Sequence, residues 1–140
     1  MDIAALITWV ITALGGFYML GTWMSRGGAR GGSRLPVPVV FGHFALAAIG
    51  LVVWIVYVVA DKDALAWTAF GLLVPVALLG FAMLARWLPV YRARAAEAAA
   101  GEQSQPAERY FPVPVVVGHG LFAVVTVVLV LLTALGIGDS

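Results

Sequence analysis

Pro36-Val37-Pro38-Val39-Val40-Phe41-Gly42-His43 opens an apolar run that carries no Asp, Glu, Lys or Arg as far as Ala60. The octapeptide returns with one exchange as Pro112-Val113-Pro114-Val115-Val116-Val117-Gly118-His119, in a second uncharged run, 110–138. Two further uncharged stretches, 3–25 and 64–85, precede these runs. Each of the four is long enough for a helix to cross ~30 Å of hydrocarbon, which takes roughly 20 residues. A helix satisfies its own backbone hydrogen bonds in lipid, and an open strand does not. The runs are continuous rather than alternating, which argues against a membrane β-barrel. The fold expected is an all-α integral membrane four-helix bundle. Its spans fall at about 3–25, 35–60, 64–86 and 111–136, in a single transmembrane domain over 1–140. Four spans use nearly the whole chain and leave no room for a soluble catalytic domain.

Composition agrees. Hydrophobic residues make up 63% of the 140 and charged residues 11%, against roughly 25% charged in soluble domains. The mean hydropathy is +1.03. A net charge of +1, with no basic stripe carrying interleaved aromatics, offers nothing to nucleic acid. Cysteine is absent, which excludes disulfides and thiolate chemistry. The first stretch lacks a basic n-region, so it is expected to stay as an anchor rather than be removed as a signal peptide.

Charge sets the orientation. The connection after the first span carries Arg26, Arg30 and Arg34, and the one after the third carries Arg92, Arg94 and Arg109, with Arg86 at the end of the span. The connection between the middle spans is only Asp61-Lys62-Asp63. Positive charge stays inside, so both arginine loops are placed in the cytoplasm and both termini outside, in a bacterial inner membrane. The short middle connection makes the second and third spans antiparallel neighbours. The glycine-rich first loop, 26–34, reads as flexible. Alanine-rich 91–100 reads as a helical extension, with an Arg94–Glu97 surface pair, broken at 101–106.

Met19-Leu20-Gly21-Thr22-Trp23 matches Met83-Leu84-Ala85-Arg86-Trp87, and Ala47 and Ala123 each follow a histidine by four residues. The chain therefore reads as two parallel-repeated helical hairpins, about 3–60 and 64–136. Each repeat contains two spans, so both begin on the same side, with a pseudo-two-fold axis along the membrane normal.

His43 and His119 are the two histidines of the chain. Each lies seven residues beyond the first proline of its motif, about 10 Å into the membrane from the arginine side at 1.5 Å per residue. An ionisable group in hydrocarbon normally faces the bundle interior. Positions 39, 43, 47, 50 and 54 share one face of the second span, and 115, 119, 123, 126 and 130 share one face of the fourth. Gly42, Gly118, Ala47 and Ala123 keep both histidines among small side chains, which permits close helix approach or a flat cofactor against backbone. Two histidines at one depth on two helices suit bis-imidazole ligation of a haem iron in a four-helix bundle. They also suit interhelical hydrogen bonding to a carbonyl, Tyr18, Thr22 or each other, and a proton relay or a metal site is a third reading. Arg34, Arg86 and Arg109 stand on the same side, where they would pair with haem propionates or act in topology and snorkelling.

In its four spans and in the pair His43 and His119, the chain resembles transmembrane b-type cytochromes and the haem-bearing membrane anchors of respiratory complexes. It is also similar to small four-span bacterial membrane proteins. The resemblance implies one haem b ligated by His43 and His119, with electron exchange near the cytoplasmic face to a quinone or another membrane subunit. The alternative is a non-catalytic accessory or assembly subunit of a larger membrane complex, in which the histidines are only structural. No span carries an interior carboxylate, which counts against ion-coupled transport, and no nucleophile–base pair or phosphate loop is visible. The chain is not expected to be an enzyme on its own. Pro75 is expected to kink the third span, and Trp9, Trp23, Trp54, Trp67 and Trp87 to form interfacial belts.

Overall fold

The two Pro-Val-Pro segments begin their helices in the same way. Pro36 and Pro112 are the extended N-caps, at φ −65° and −66°, and the second proline of each motif falls in the first turn. There the missing N–H has no partner to lose. The computed structural model describes residues 1–100 and 105–138. It contains four long helices: α1 (Asp2–Ser25), α2 (Val37–Ala60), α3 (Asp63–Ala100) and α4 (Val113–Ala134). All four are long and apolar enough to cross a membrane, the apolar part of α3 being Asp63–Arg94. Short 3-10 turns at Gly28–Arg30 and Ala107–Tyr110 lie in the two arginine loops. Asp61, in the left-handed region at φ 49°, ends α2 and lets α3 start two residues later. The helix α3 continues through the alanine-rich segment to Ala100. The expected break at 101–106 falls mostly outside the described residues, as do the Glu97 side chain and the C-terminal Asp139.

The chain is an integral membrane four-helix bundle in two layers. One layer is α2 packed on α3, the other α1 packed on α4, while α1 and α2 touch each other least among neighbouring helices. Large apolar side chains such as Leu14, Leu78 and Val59 face outward, at 65%, 65% and 83% exposure. Such exposure is tolerable only with lipid as the surrounding solvent.

Tightly filled clusters close the two ends. Ala5, Trp9, Trp54, Tyr57, Ala66 and Ala69 fill the end that carries the short α2–α3 connection. Trp23, Trp87, Leu35, Ala107 and Phe111 fill the arginine end. This corrects the belt reading of the tryptophans: four of the five are buried, and only Trp67 is exposed. Trp9 packs against Trp54 in the apolar end cluster, and the other three indole N–H groups find partners inside the ends of the bundle. Trp23 Nε1 donates to Ser33 Oγ (2.8 Å), Trp54 Nε1 to the Asp2 carbonyl (3.2 Å) and Trp87 Nε1 to the Glu108 carbonyl (3.1 Å).

The first loop is likewise not the loose linker its glycines suggest. Gly27 and Gly31 take positive φ on either side of a 3-10 turn, and Gly28 lies so close to the Trp23 indole that no side chain fits between them. The loop then fastens to the second one. The wholly buried Glu108 accepts the Ser33 hydroxyl (2.7 Å) and the Arg34 N–H (2.8 Å), and Ala107 N–H donates to the Gly32 carbonyl (2.7 Å).

Candidate functional site

Between the two plugged ends lies a cavity of about 530 Å³ lined by all four helices, within the roughly 300–1,000 Å³ of small-molecule and cofactor sites. Its walls are almost entirely apolar, and His43 and His119 both line it, one from each layer. Their ring centres are 6.2 Å apart, with the planes inclined at 58°.

Each imidazole is held by the helix beside it in its own layer. His43 Nδ1 lies 2.9 Å from the Val76 carbonyl of α3, and His119 Nδ1 lies 2.8 Å from the Thr12 carbonyl of α1. A carbonyl oxygen can only accept, so Nδ1 carries the proton in both rings. The lone pair of each neutral ring is therefore on Nε2, and no hydrogen bond to either Nε2 is present among the described residues. Two such acceptor nitrogens cannot bond each other. A hydrogen bond from the remote nitrogen to a backbone carbonyl is the usual support of a metal-ligating histidine, fixing tautomer and ring orientation.

Both carbonyls are reached in the same way. The helical donor to the Thr12 carbonyl is the N–H of residue 16, and that to the Val76 carbonyl is the N–H of residue 80. Both positions are glycine. A Cβ on Gly16 would lie 3.2 Å from His119 Cε1, and one on Gly80 would lie 3.3 Å from His43 Cε1. The absent side chains leave the space in which each ring lies against its neighbour's backbone. Neither glycine is among the site residues expected from the sequence. The available signal was a longer match: Ala13-Leu14-Gly15-Gly16-Phe17-Tyr18-Met19-Leu20 against Ala77-Leu78-Leu79-Gly80-Phe81-Ala82-Met83-Leu84, six of eight positions being identical.

Matched positions occupy matched places. Trp23 and Trp87 are buried together at one end of the cavity, as are Leu35 and Phe111. Trp54 and Val130 are both fully buried, and Phe17 and Phe81 are exposed to 57% and 60%.

Of the other residues singled out from sequence, Ala47 and Ala123 line the cavity, whereas Gly42 and Gly118 do not. A Cβ on Gly42 would meet only Leu79, at 3.9 Å, and one on Gly118 nothing within 4 Å. Arg34, Arg86 and Arg109 lie at the arginine end and outside the cavity wall. Arg86 Nη1 donates to the Arg34 carbonyl (3.3 Å), and Arg109 Nη2 to the Arg94 carbonyl (3.0 Å). Glu108, which joins the loops across that end, was not singled out from sequence. Among the described residues no group of three or more His, Cys, Asp or Glu is gathered for a metal ion, so a metal centre here would rest on the two imidazoles and a non-protein ligand set.

Comparison with protein-family models, with curated proteins and with solved structures finds no match to this chain.

Proposed function

We propose that this protein holds one b-type haem between His43 and His119 and works as a small one-electron redox protein of the membrane. The observation that carries the reading is the spacing and tautomer of the two imidazoles. A metal–imidazole bond is about 2 Å and a ring nitrogen lies roughly 1.2 Å from its ring centre, so two rings ligating one ion from opposite sides have centres about 6.4 Å apart. The separation here is 6.2 Å. Both rings keep Nε2 for a ligand by committing Nδ1–H to a carbonyl. The apolar cavity between the layers supplies room for a flat macrocycle, and among the described residues no hydrogen bond occupies either Nε2. Held by His43 and His119, a haem would supply one-electron exchange.

The chain's own residues set the conditions. Thr12 and Val76 orient the rings through their carbonyls, and Gly16 and Gly80 leave the space for that approach. The aromatic and aliphatic plugs keep water from either end. The arginine end faces the cytoplasm in this reading, and its cations favour an orientation with the haem propionates toward them. A lipid-dissolved quinone or a neighbouring membrane subunit is the fitting exchange partner for a centre with little aqueous access. The paired matches between α1 and α3, and between α2 and α4, support descent from one duplicated hairpin.

Titration of the purified apoprotein with haemin tests the proposal. Saturation at one haem per chain, with a Soret band that is lost or shifted in His43→Ala and in His119→Ala, is expected. Binding with an unchanged spectrum in both variants would overturn it.

A further inference from the structure

The two halves of the bundle differ at one position that matters for access to the cavity. In the slot between α1 and α2, the Phe17 and Phe44 rings meet edge to face at 5.6 Å. The position that matches Phe17 in α3 is Phe81, and the position that matches Phe44 in α4, one residue after the histidine, is Gly120. The second ring is therefore missing from the slot between α3 and α4. Gly120 lines the cavity and is exposed, and a Cβ added there would meet nothing within 4 Å. On the same two helices Phe81, Leu84, Val124 and Val128 are also cavity-lining, and their exposures run from 38% to 60%. Phe17, Phe44 and Ala48 line the cavity and are exposed in the same way on the α1–α2 side, so what distinguishes the two slots is the Phe44 ring in one and Gly120 in the other. The two ends are filled: Trp9 and Trp54 close one, and Trp23, Trp87 and the Glu108-bonded loops close the other.

We propose that the α3–α4 slot at Gly120 is a lateral port, and that the planar tetrapyrrole passes through it from the bilayer rather than from water. The choice of occupant rests on the haem reading above; the port itself rests only on the cavity and its walls. A flat ring lying between the layers, with its two faces toward His43 and His119, presents its edge to this slot. The port thus serves loading, and it leaves an edge open to lipid-dissolved partners. The Phe17–Phe44 pair keeps the opposite slot shut.

The port is tested by exchanging the two unlike residues. Apoprotein in phosphatidylcholine vesicles is mixed with haemin already dissolved in those vesicles, and the growth of the Soret band is followed. Gly120→Phe is expected to slow loading by about tenfold or more, within the range over which association rates respond to changes at one site. Phe44→Gly, which opens the opposite slot, is expected to restore or speed loading in the Gly120→Phe background. Equal loading rates in wild type and Gly120→Phe would overturn the port. A separate arm needs no haem. In a Trp67→Phe background, which removes the lipid-facing indole, bilayer-dissolved bromobenzene should quench the cavity tryptophans less in Gly120→Phe than with Gly120 intact. Unchanged quenching would overturn the port whether or not the protein binds haem. Reduced quenching in a protein that takes up no haem would retain the port and refute its tetrapyrrole occupant. Helical circular dichroism and gel filtration establish that each variant is folded, and Gly120→Leu replaces Gly120→Phe if the larger ring prevents folding.

Discussion

A glycine four residues after a carbonyl is what lets a histidine of the next helix reach that carbonyl. Gly16 and Gly80 do this for His119 and His43, with virtual Cβ contacts of 3.2 and 3.3 Å to the rings. Gly16→Ala or Gly80→Ala would push the ring off its acceptor and turn Nε2 away from the ligand direction. Loss of such a supporting bond typically weakens metal binding by about 10–100-fold, and haemin titration of each variant should show a loss of that order. The acceptors are backbone atoms, so Thr12→Val should leave the affinity within about twofold, since it changes a side chain and not the carbonyl. This part of the site was only half legible. The histidines announce themselves as the two imidazoles of the chain, each inside a span, and the repeated octapeptide sets them at one depth. Their acceptors are carbonyls, which every residue has, and only the glycine at matched positions betrays them.

Helices and loops differ in how much of them could be read. The four spans follow from hydropathy alone, and the helix starts from Pro36 and Pro112. The inward faces of α2 and α4 also follow, because the histidine, the small residues and Trp54 or Val130 recur at helical spacing. Four of the tryptophans could not be placed by type, since an indole near a helix end serves a lipid interface or a bundle interior equally well. For Trp23 and Trp87 the N–H partner lies in an arginine loop, and for Trp54 at the start of α1. The Glu108 clasp was illegible for the same reason: it joins residues 75 positions apart through a hydroxyl and a main-chain N–H. Glu108→Ala removes the acceptor of the Ser33 hydroxyl and the Arg34 N–H. A hydrogen bond to a charged group contributes about 1.5–3 kcal/mol, so a measurable fall in unfolding free energy in mixed micelles is expected. Gly28→Ala should destabilise by about 1–3 kcal/mol through overpacking against Trp23, and the same unfolding measurement checks it.

At the scale of the whole molecule, the bundle is two helix pairs that enclose an apolar hollow, filled at both ends and lined by one imidazole from each pair. The cysteine-free chain makes its orientation easy to measure. Single-cysteine variants Arg30→Cys and Asp61→Cys should react with a membrane-impermeant maleimide in opposite ways in intact cells. Asp61→Cys should label from outside, and Arg30→Cys only after the membrane is opened. The architecture depends on hydropathy and charge, which sequence displays directly. The hollow between the layers depends on which helices pair most closely, and the sequence displays that only for the short α2–α3 hairpin.

The most direct test of the central claim is low-temperature electron paramagnetic resonance of the oxidised, haem-loaded protein. Two nitrogen ligands on one ferric iron give a low-spin signal, and removing either imidazole in His43→Ala or His119→Ala should convert it to high spin. A wild-type signal that is high-spin, or that survives both substitutions unchanged, would contradict ligation by this histidine pair.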